Sequence, residues 1–325
     1  MKPTRRGLLA TFSASIALLP AARVTQAQSF PTRPVRIIVP FAAGGPTDAI
    51  ARMVSQALEP GWGQPVVVEN RPGAGGSTGS ALVARAAPDG HTLLVTANSH
   101  AINPAVLRNI PFDTLRDFTP VVRLADAPFV LVASPAMGVR TLPEFVAAVR
   151  ARPGFYNYGS AGHGTGNHMG MERLKVAARL DIAHVSYNGA APATTALLGG
   201  QVVAIVNNLV NSLPYIADGR MVALAIGSVE RSPVLPDVPS TNDFYPGLTM
   251  MNWYAAFGPA GMAPALIEAI NAAMARAIRA ETIAERLRAQ GISPNAGPAA
   301  TFAREVEAEV ATWARVAQQA GIRPE

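Results

Sequence analysis

Short apolar runs alternate along the chain with stretches of helical period. Val35–Val39 (VRIIV) reads as a buried strand. After it, Ile50, Met53, Val54, Ala57 and Leu58 recur at i, i+3, i+4, i+7 and i+8, one face of a helix, and Pro46 suits its first turn. Val66–Val68 and Leu93–Val95 read as the next strands. This order opens a βαβ unit and predicts a parallel sheet covered by helices. The middle repeats the theme, with strands expected at Phe129–Val132, Tyr156–Tyr158, Ala183–Tyr187, Val202–Val206 and Val222–Ile226. Thr141 and Glu144 form a capping box that opens a helix through Leu142, Phe145, Val146 and Val149. Pro192 starts a short helix that stops at Gly199-Gly200. A Pro-rich connection from Ser232 to Pro246 leads to a strand at Trp253–Phe257. Two core-facing helical stripes follow: Ile267, Ile270, Met274 and Ile278 after Pro264, then Phe302, Val306, Val310, Trp313 and Ala317, ending at Gly321.

Two Gly-rich segments break this pattern in the same way. Residues 40–48 (PFAAGGPTD) and 159–168 (GSAGHGTGNH) each join a strand to a helix start. Glycine lets backbone N–H groups approach a ligand without a Cβ in the way. A helix N-terminus adds unpaired N–H donors and about half a positive charge. Such a junction binds an anion with no Lys or Arg, and two of them would hold a small carboxylate from both sides. A single loop of this kind is equally a tight βα turn. Neither fits G-x-G-x-x-G, since Asn167 stands where the third glycine belongs, and neither ends in the Gly-Lys-Ser/Thr of a P-loop.

Composition changes the picture at the N-terminus. Arg5-Arg6, an uncharged stretch from Gly7 to Ala22, and small residues at Thr25 and Ala27 have the order of an export signal. The paired arginines also suit the twin-arginine route; an ordinary Sec signal reads the same way. We expect residues 1–27 to be removed and the mature protein to be periplasmic. The chain has 27 Lys+Arg against 21 Asp+Glu, and loss of Lys2, Arg5, Arg6 and Arg23 leaves an excess of only two. That balance excludes a nucleic-acid footprint. With 0 Cys there is no disulfide, thiolate or lipid-anchor chemistry. No later run reaches the roughly 20 apolar residues that span a bilayer.

Other chemistry is weaker. Gly75-Gly76-Ser77-Thr78-Gly79 matches G-x-S-x-G, but a turn rather than a strand precedes Ser77. His163 and His168 have an unusual spacing for metal ligands, and no H-E-x-x-H occurs. His163 can line a cleft or simply face solvent. Asp48, at a helix start, is expected to cap or brace its loop rather than act as a base. Trp253 suits the core or the cleft equally. We therefore expect no catalytic residue, metal or cofactor.

The segments PFAAGGPTD, ENRPGAGG (69–76), APDGHTLL (87–94), INP (102–104), NYGSAGHGT (157–165), HVSYNGAAPA (184–193), LLGGQV (197–202), RSPVLPDVPS (231–240) and W-x4-GPAG (253–261) occur in order across the chain. Together they resemble the Bug family of periplasmic solute receptors associated with tripartite tricarboxylate transporters. The resemblance implies an α/β, type II-like periplasmic-binding-protein fold of two domains, each a mostly parallel sheet flanked by helices, with the ligand cleft between them. Domain I would comprise residues 28–125 plus 253–325, and domain II residues 126–252. It implies ligand contacts from Phe41, Ala43, Gly44, Thr47, Asp48, Asn98, Ser99, Ser160, Gly164, Thr165 and Asn208. The chain departs from the family pattern at Ala43, Pro46, Asn188, Asn207 and Gly166-Asn167, which leaves the far end of the ligand open. The function implied is capture of a small organic carboxylate by a monomer and transient delivery to the membrane subunits. The rivals are an exported serine hydrolase using Ser77 and a receptor that serves a sensor.

Overall fold

The computed structural model describes residues 30–324; the expected export signal lies outside them. Ten strands and ten helices occur among the described residues. In chain order they begin β1 (Val35–Val39), α1 (Pro46–Trp62), β2 (Val66–Asn70), α2 (Ser77–Ala84), β3 (Thr92–Ala97), α3 (Ser99–Val106) and β4 (Phe118–Ala133). Then come α4 (Leu142–Ala151), β5 (Asn157–Ser160), α5 (Gly166–Ala178), β6 (Ala183–Ser186), α6 (Ala190–Leu198), β7 (Ala204–Asn208), α7 (Leu209–Ala217) and β8 (Val222–Ile226). The chain ends with β9 (Met251–Pro259), α8 (Pro264–Arg279), α9 (Glu281–Arg288), β10 (Ser293–Pro294) and α10 (Ala299–Gln319).

The strand order β2-β1-β3-β9-β4-β7-β5-β6 is continuous, because β4 is long enough to serve two sheets. Its first part pairs antiparallel with β9 from Phe118↔Pro259 to Pro128↔Met251. Its last five residues, Phe129 to Ala133, pair antiparallel with β7. The expected parallel pairing holds in the outer parts: β1 is parallel to β2 and β3, and β5 to β6 and β7. The centre is antiparallel, since β9 pairs antiparallel with both β3 and β4. Two lobes result, each with its own core. Val35, Ile37, Val39, Ile50, Val54, Leu93 and Ile270 fill one face of the first. Phe129, Leu131, Phe145, Tyr158, Leu174 and Val206 fill one face of the second.

Local chemistry explains several of the helix ends. Pro46 begins α1, where its missing N–H costs nothing, and Gly63 closes it in the left-handed region at φ 62°. Thr141 Oγ1 accepts from Glu144 N–H at 3.3 Å, and Glu144 Oε2 accepts from Thr141 N–H at 3.2 Å, completing the capping box. Pro104 lies inside α3 and cannot donate to the His100 carbonyl. The Thr114 hydroxyl donates to that carbonyl instead, at 3.1 Å. Trp253 settles into the core: it is buried against Phe257 and Phe302, and its Nε1–H donates to Glu309. Trp313 donates to the same carboxylate at 3.0 Å.

Candidate functional site

β1 and β3 run parallel, so α1 and α3 start at one edge of the first lobe. β5 and β7 run parallel, so α5 and α7 start at one edge of the second. The carboxyl ends of parallel strands are where α/β sheets present helix N-termini to ligands. The two edges meet. A methyl group on Gly166, at the start of α5, would come 2.7 Å from Asn98 Oδ1, at the start of α3. One on Gly164 would overlap the Val106 side chain of α3. Tyr254 in β9 donates its hydroxyl to Asn208 Oδ1 at 3.4 Å. Between the two Gly-rich loops lies a 3-10 turn, Ala74–Gly76. Its Gly76 packs on the Phe41 ring of the first loop, and its Gly75 lies beside the His163 carbonyl of the second.

Each expected residue has a definite place. In the first loop Ala43 and Gly44 are exposed, and Thr47 and Asp48 are buried in the first turn of α1. The Gly44 N–H turns inward to Asp48 Oδ2 at 3.0 Å. Asp48 also accepts from Arg52 Nε at 3.0 Å and Asn70 Nδ2 at 3.0 Å, while Asn70 Nδ2 reaches the Phe41 carbonyl at 3.1 Å. Asp48 is thus a brace. Burial works to raise its pKa, but the bonds from Arg52, Gly44 and Asn70 outweigh this and hold it below the usual carboxylate value. In the second loop the Gly164 N–H goes to His168 Nδ1 at 3.3 Å, and Thr165 N–H goes to the Gly162 carbonyl at 3.3 Å. Thr165 Oγ1 caps α5 by accepting from His168 N–H at 3.4 Å, and it donates to the Gly162 carbonyl at 2.7 Å. Ser160 Oγ is likewise engaged, donating to the Gly162 carbonyl at 3.1 Å and lying 2.7 Å from His184 Nε2.

Unspent donors lie in the first turns of the helices that follow the loops. The N–H groups of Thr47 and Asp48 in α1, and of Gly166 and Asn167 in α5, have no hydrogen-bond acceptor among the described residues. Those of Ser99 and His100 at the start of α3 are in the same state. The glycines shape the loops, and the helix starts supply the donors. Asn98 is anchored through Nδ2 to the Met251 carbonyl at 2.9 Å. Ser99 Oγ is buried with no partner. Asn208 stands at the N-cap position of α7, but its side chain makes no cap bond and Oδ1 accepts from Tyr254 instead.

Sequence reasoning missed Asn103. It donates through Nδ2 to the Gly75 carbonyl at 3.1 Å and keeps its buried Oδ1 unpartnered beside Gly75 and Gly164. The segment INP carried it, but nothing in the spacing set it apart. A second omission is a histidine group. His163, His168 and His184 each offer a ring nitrogen, all within 4.8 Å of one another. Burial, with the neighbouring histidines and Lys175, pushes His168 down to about 2 and His184 to about 4. Ser77 does not form the hydrolase elbow. β2 ends at Asn70, and the 3-10 turn Ala74–Gly76 lies between it and Ser77.

Comparison with known proteins identifies the family. Residues 50–322 match the tripartite tricarboxylate transporter family receptor pattern. Protein BugT of Bordetella pertussis is 34% identical over 319 residues, covering 97% of this chain and 98% of its own. The Rhodopseudomonas palustris protein MatC, solved with bound malate, superposes with TM-score 0.81 at 34% identity over 88% of this chain and 99% of its own. The R. palustris protein Rpa4515, solved with adipate, superposes with TM-score 0.85 at 32% identity, over 91% of this chain and 100% of its own. The chain has the two-domain periplasmic-binding-protein fold, and no helix among the described residues is long and apolar enough to cross a membrane. It belongs to the tripartite tricarboxylate transporter receptor family, among the Bug proteins.

Proposed function

We propose that this protein is a periplasmic receptor that captures a small organic carboxylate and delivers it to a tripartite tricarboxylate-type membrane transporter. The observation that carries this reading is the meeting of the starts of α3 and α5 across the lobes, with the start of α1 on the same sheet edge as that of α3, each with unspent backbone N–H groups. A carboxylate there would take donors from both lobes. Each charge-assisted bond contributes roughly 1.5–3 kcal/mol. Three or four of them suffice for micromolar affinity, about −8 kcal/mol. Relatives of the same fold hold adipate and malate, which are dicarboxylates. The lobes divide near residues 126 and 252, where β4 passes from the sheet it shares with β9 to the one it shares with β7. The ligand contacts are Phe41, Ala43, Gly44, Thr47, Asp48, Asn98, Ser99, Ser160, Gly164, Thr165 and Asn208, with Asn103 added. Among these the amides of Thr47, Asp48 and Ser99 donate directly, joined by those of Gly166 and Asn167. Binding draws the lobes together because only the closed arrangement offers both sets of donors. No group on the chain is assigned a chemical step.

A thermal-shift screen against a panel of mono-, di- and tricarboxylates tests the reading. A true ligand at a hundredfold excess over Kd stabilises the protein by about 2.7 kcal/mol. A panel in which no carboxylate raises the melting temperature overturns it.

A further inference from the structure

The second Gly-rich loop does more than cap α5. Its His163, the α5 residue His168 and the edge-strand residue His184 come from three separate elements and converge. Register explains the convergence. Parallel pairing sets Tyr158 of β5 opposite His184 of β6, so both side chains stand on one face of the sheet. α5 lies over that face and presents His168 and Glu172, one helical turn apart. Tyr158 donates to Glu172 at 2.5 Å, and Lys175 donates to the same carboxylate oxygen at 2.7 Å. The carboxylate is thereby held 3.9 Å from His168 Nε2. His168 is 3% exposed, whereas His163 and His184 are half-buried, so the group is reachable from solvent on one side.

We propose that His163, His168 and His184 form a binding site for a divalent transition-metal ion of the zinc type. Three imidazoles with an open fourth position are a known zinc arrangement, and imidazole suits Zn, Cu and Ni better than Ca or Mg. Metal–nitrogen bonds of about 2.0–2.1 Å require the ring nitrogens to draw in from their present spread. His163 can supply part of that movement, since Gly162 and Gly164 flank it at φ 139° and 71°, and the stacked rings of His168 and His184, their centroids 4.1 Å apart, turn out of their stack to bring their nitrogens to one ion. His168 Nδ1 holds only the long contact from the Gly164 N–H, at 3.3 Å, which a metal displaces at small cost. His184 is oriented by Ser160 Oγ at Nε2, the kind of outer-shell bond that fixes a metal-binding ring. The site is a property of the second lobe and does not depend on the carboxylate reading.

The test is calorimetric titration of the purified, tag-free, chelator-treated protein with Zn2+ alone, with no carboxylate present. A Co2+ titration followed by its visible ligand-field spectrum reports the coordination geometry. The expected result is one Zn2+ per chain and a four-coordinate Co2+ spectrum, with at least tenfold weaker binding in His163→Ala. His91→Gln, outside the cluster, keeps wild-type affinity. His163→Ala alters only a half-buried loop side chain; circular dichroism verifies its fold, and His184→Gln provides an independent second variant. Absence of saturable binding, or binding unchanged in both cluster variants, overturns the proposal.

Discussion

At the scale of single residues, some side chains shape the loops while backbone amides meet the ligand. Gly164 is of the first kind. Its φ of 71° lies in the left-handed region, and a Cβ there would overlap Val106 on the opposite lobe. A left-handed conformation costs a non-glycine residue about 1–2 kcal/mol whether the lobes are together or apart. The overlap with Val106 exists only when they are together. Gly164→Ala is therefore expected to weaken carboxylate binding by more than its effect on the melting temperature of the free protein implies; calorimetry beside thermal melts checks this. Asp48 gives a pH prediction. Its carboxyl is held below the ordinary value, so the stability it contributes is complete above about pH 4 and is lost as pH falls through the lowered value. Asp48→Asn should lower stability at pH 7 and narrow the gap to wild type at pH 3, measured by urea unfolding at both pH values. An equal deficit at both would remove the ionised brace from the account.

At the scale of elements, helix ends decided both what could be read and what could not. The capping box at Thr141 was legible because its two partners are three residues apart in sequence. Thr141→Ala should cost about 1 kcal/mol of stability and leave ligand affinity unchanged, since α4 lies away from the cleft starts of α1, α3 and α5; denaturant melts and a binding titration check the two halves. By contrast, α3 and α7 left no helical signal. Each carries an internal proline, Pro104 and Pro214, and proline reads as a stop. In α3 the structure satisfies the orphaned carbonyl with Thr114, ten residues downstream of the proline. The first half of β4 was hidden for a related reason. Pro120, Arg123 and Asp126 interrupt its apolar run, and the pairing with β9 shifts register near the first two. Both omissions touch the site directly: α3 brings Ser99 and Asn103, and β4 joins the lobes.

At the scale of the whole molecule, the two Gly-rich junctions were visible as sequence, and so was the family to which the chain belongs. What no local pattern carried was which donors stay unspent. The amides of Gly44 and Gly164 look available in the sequence, yet they close on Asp48 and His168. The histidine cluster was equally invisible, because His184 reaches His168 through parallel strand pairing rather than through sequence spacing. A ligand that draws the lobes together through backbone amides has a distinct signature: it needs the negative charge, and it needs both lobes. Calorimetric titration with a dicarboxylate such as adipate, in parallel with its uncharged diamide, reads this most directly. The account predicts saturable one-to-one binding of at least one carboxylate in such a matched panel and no measurable binding of its diamide. Equal affinity for the two forms would contradict it.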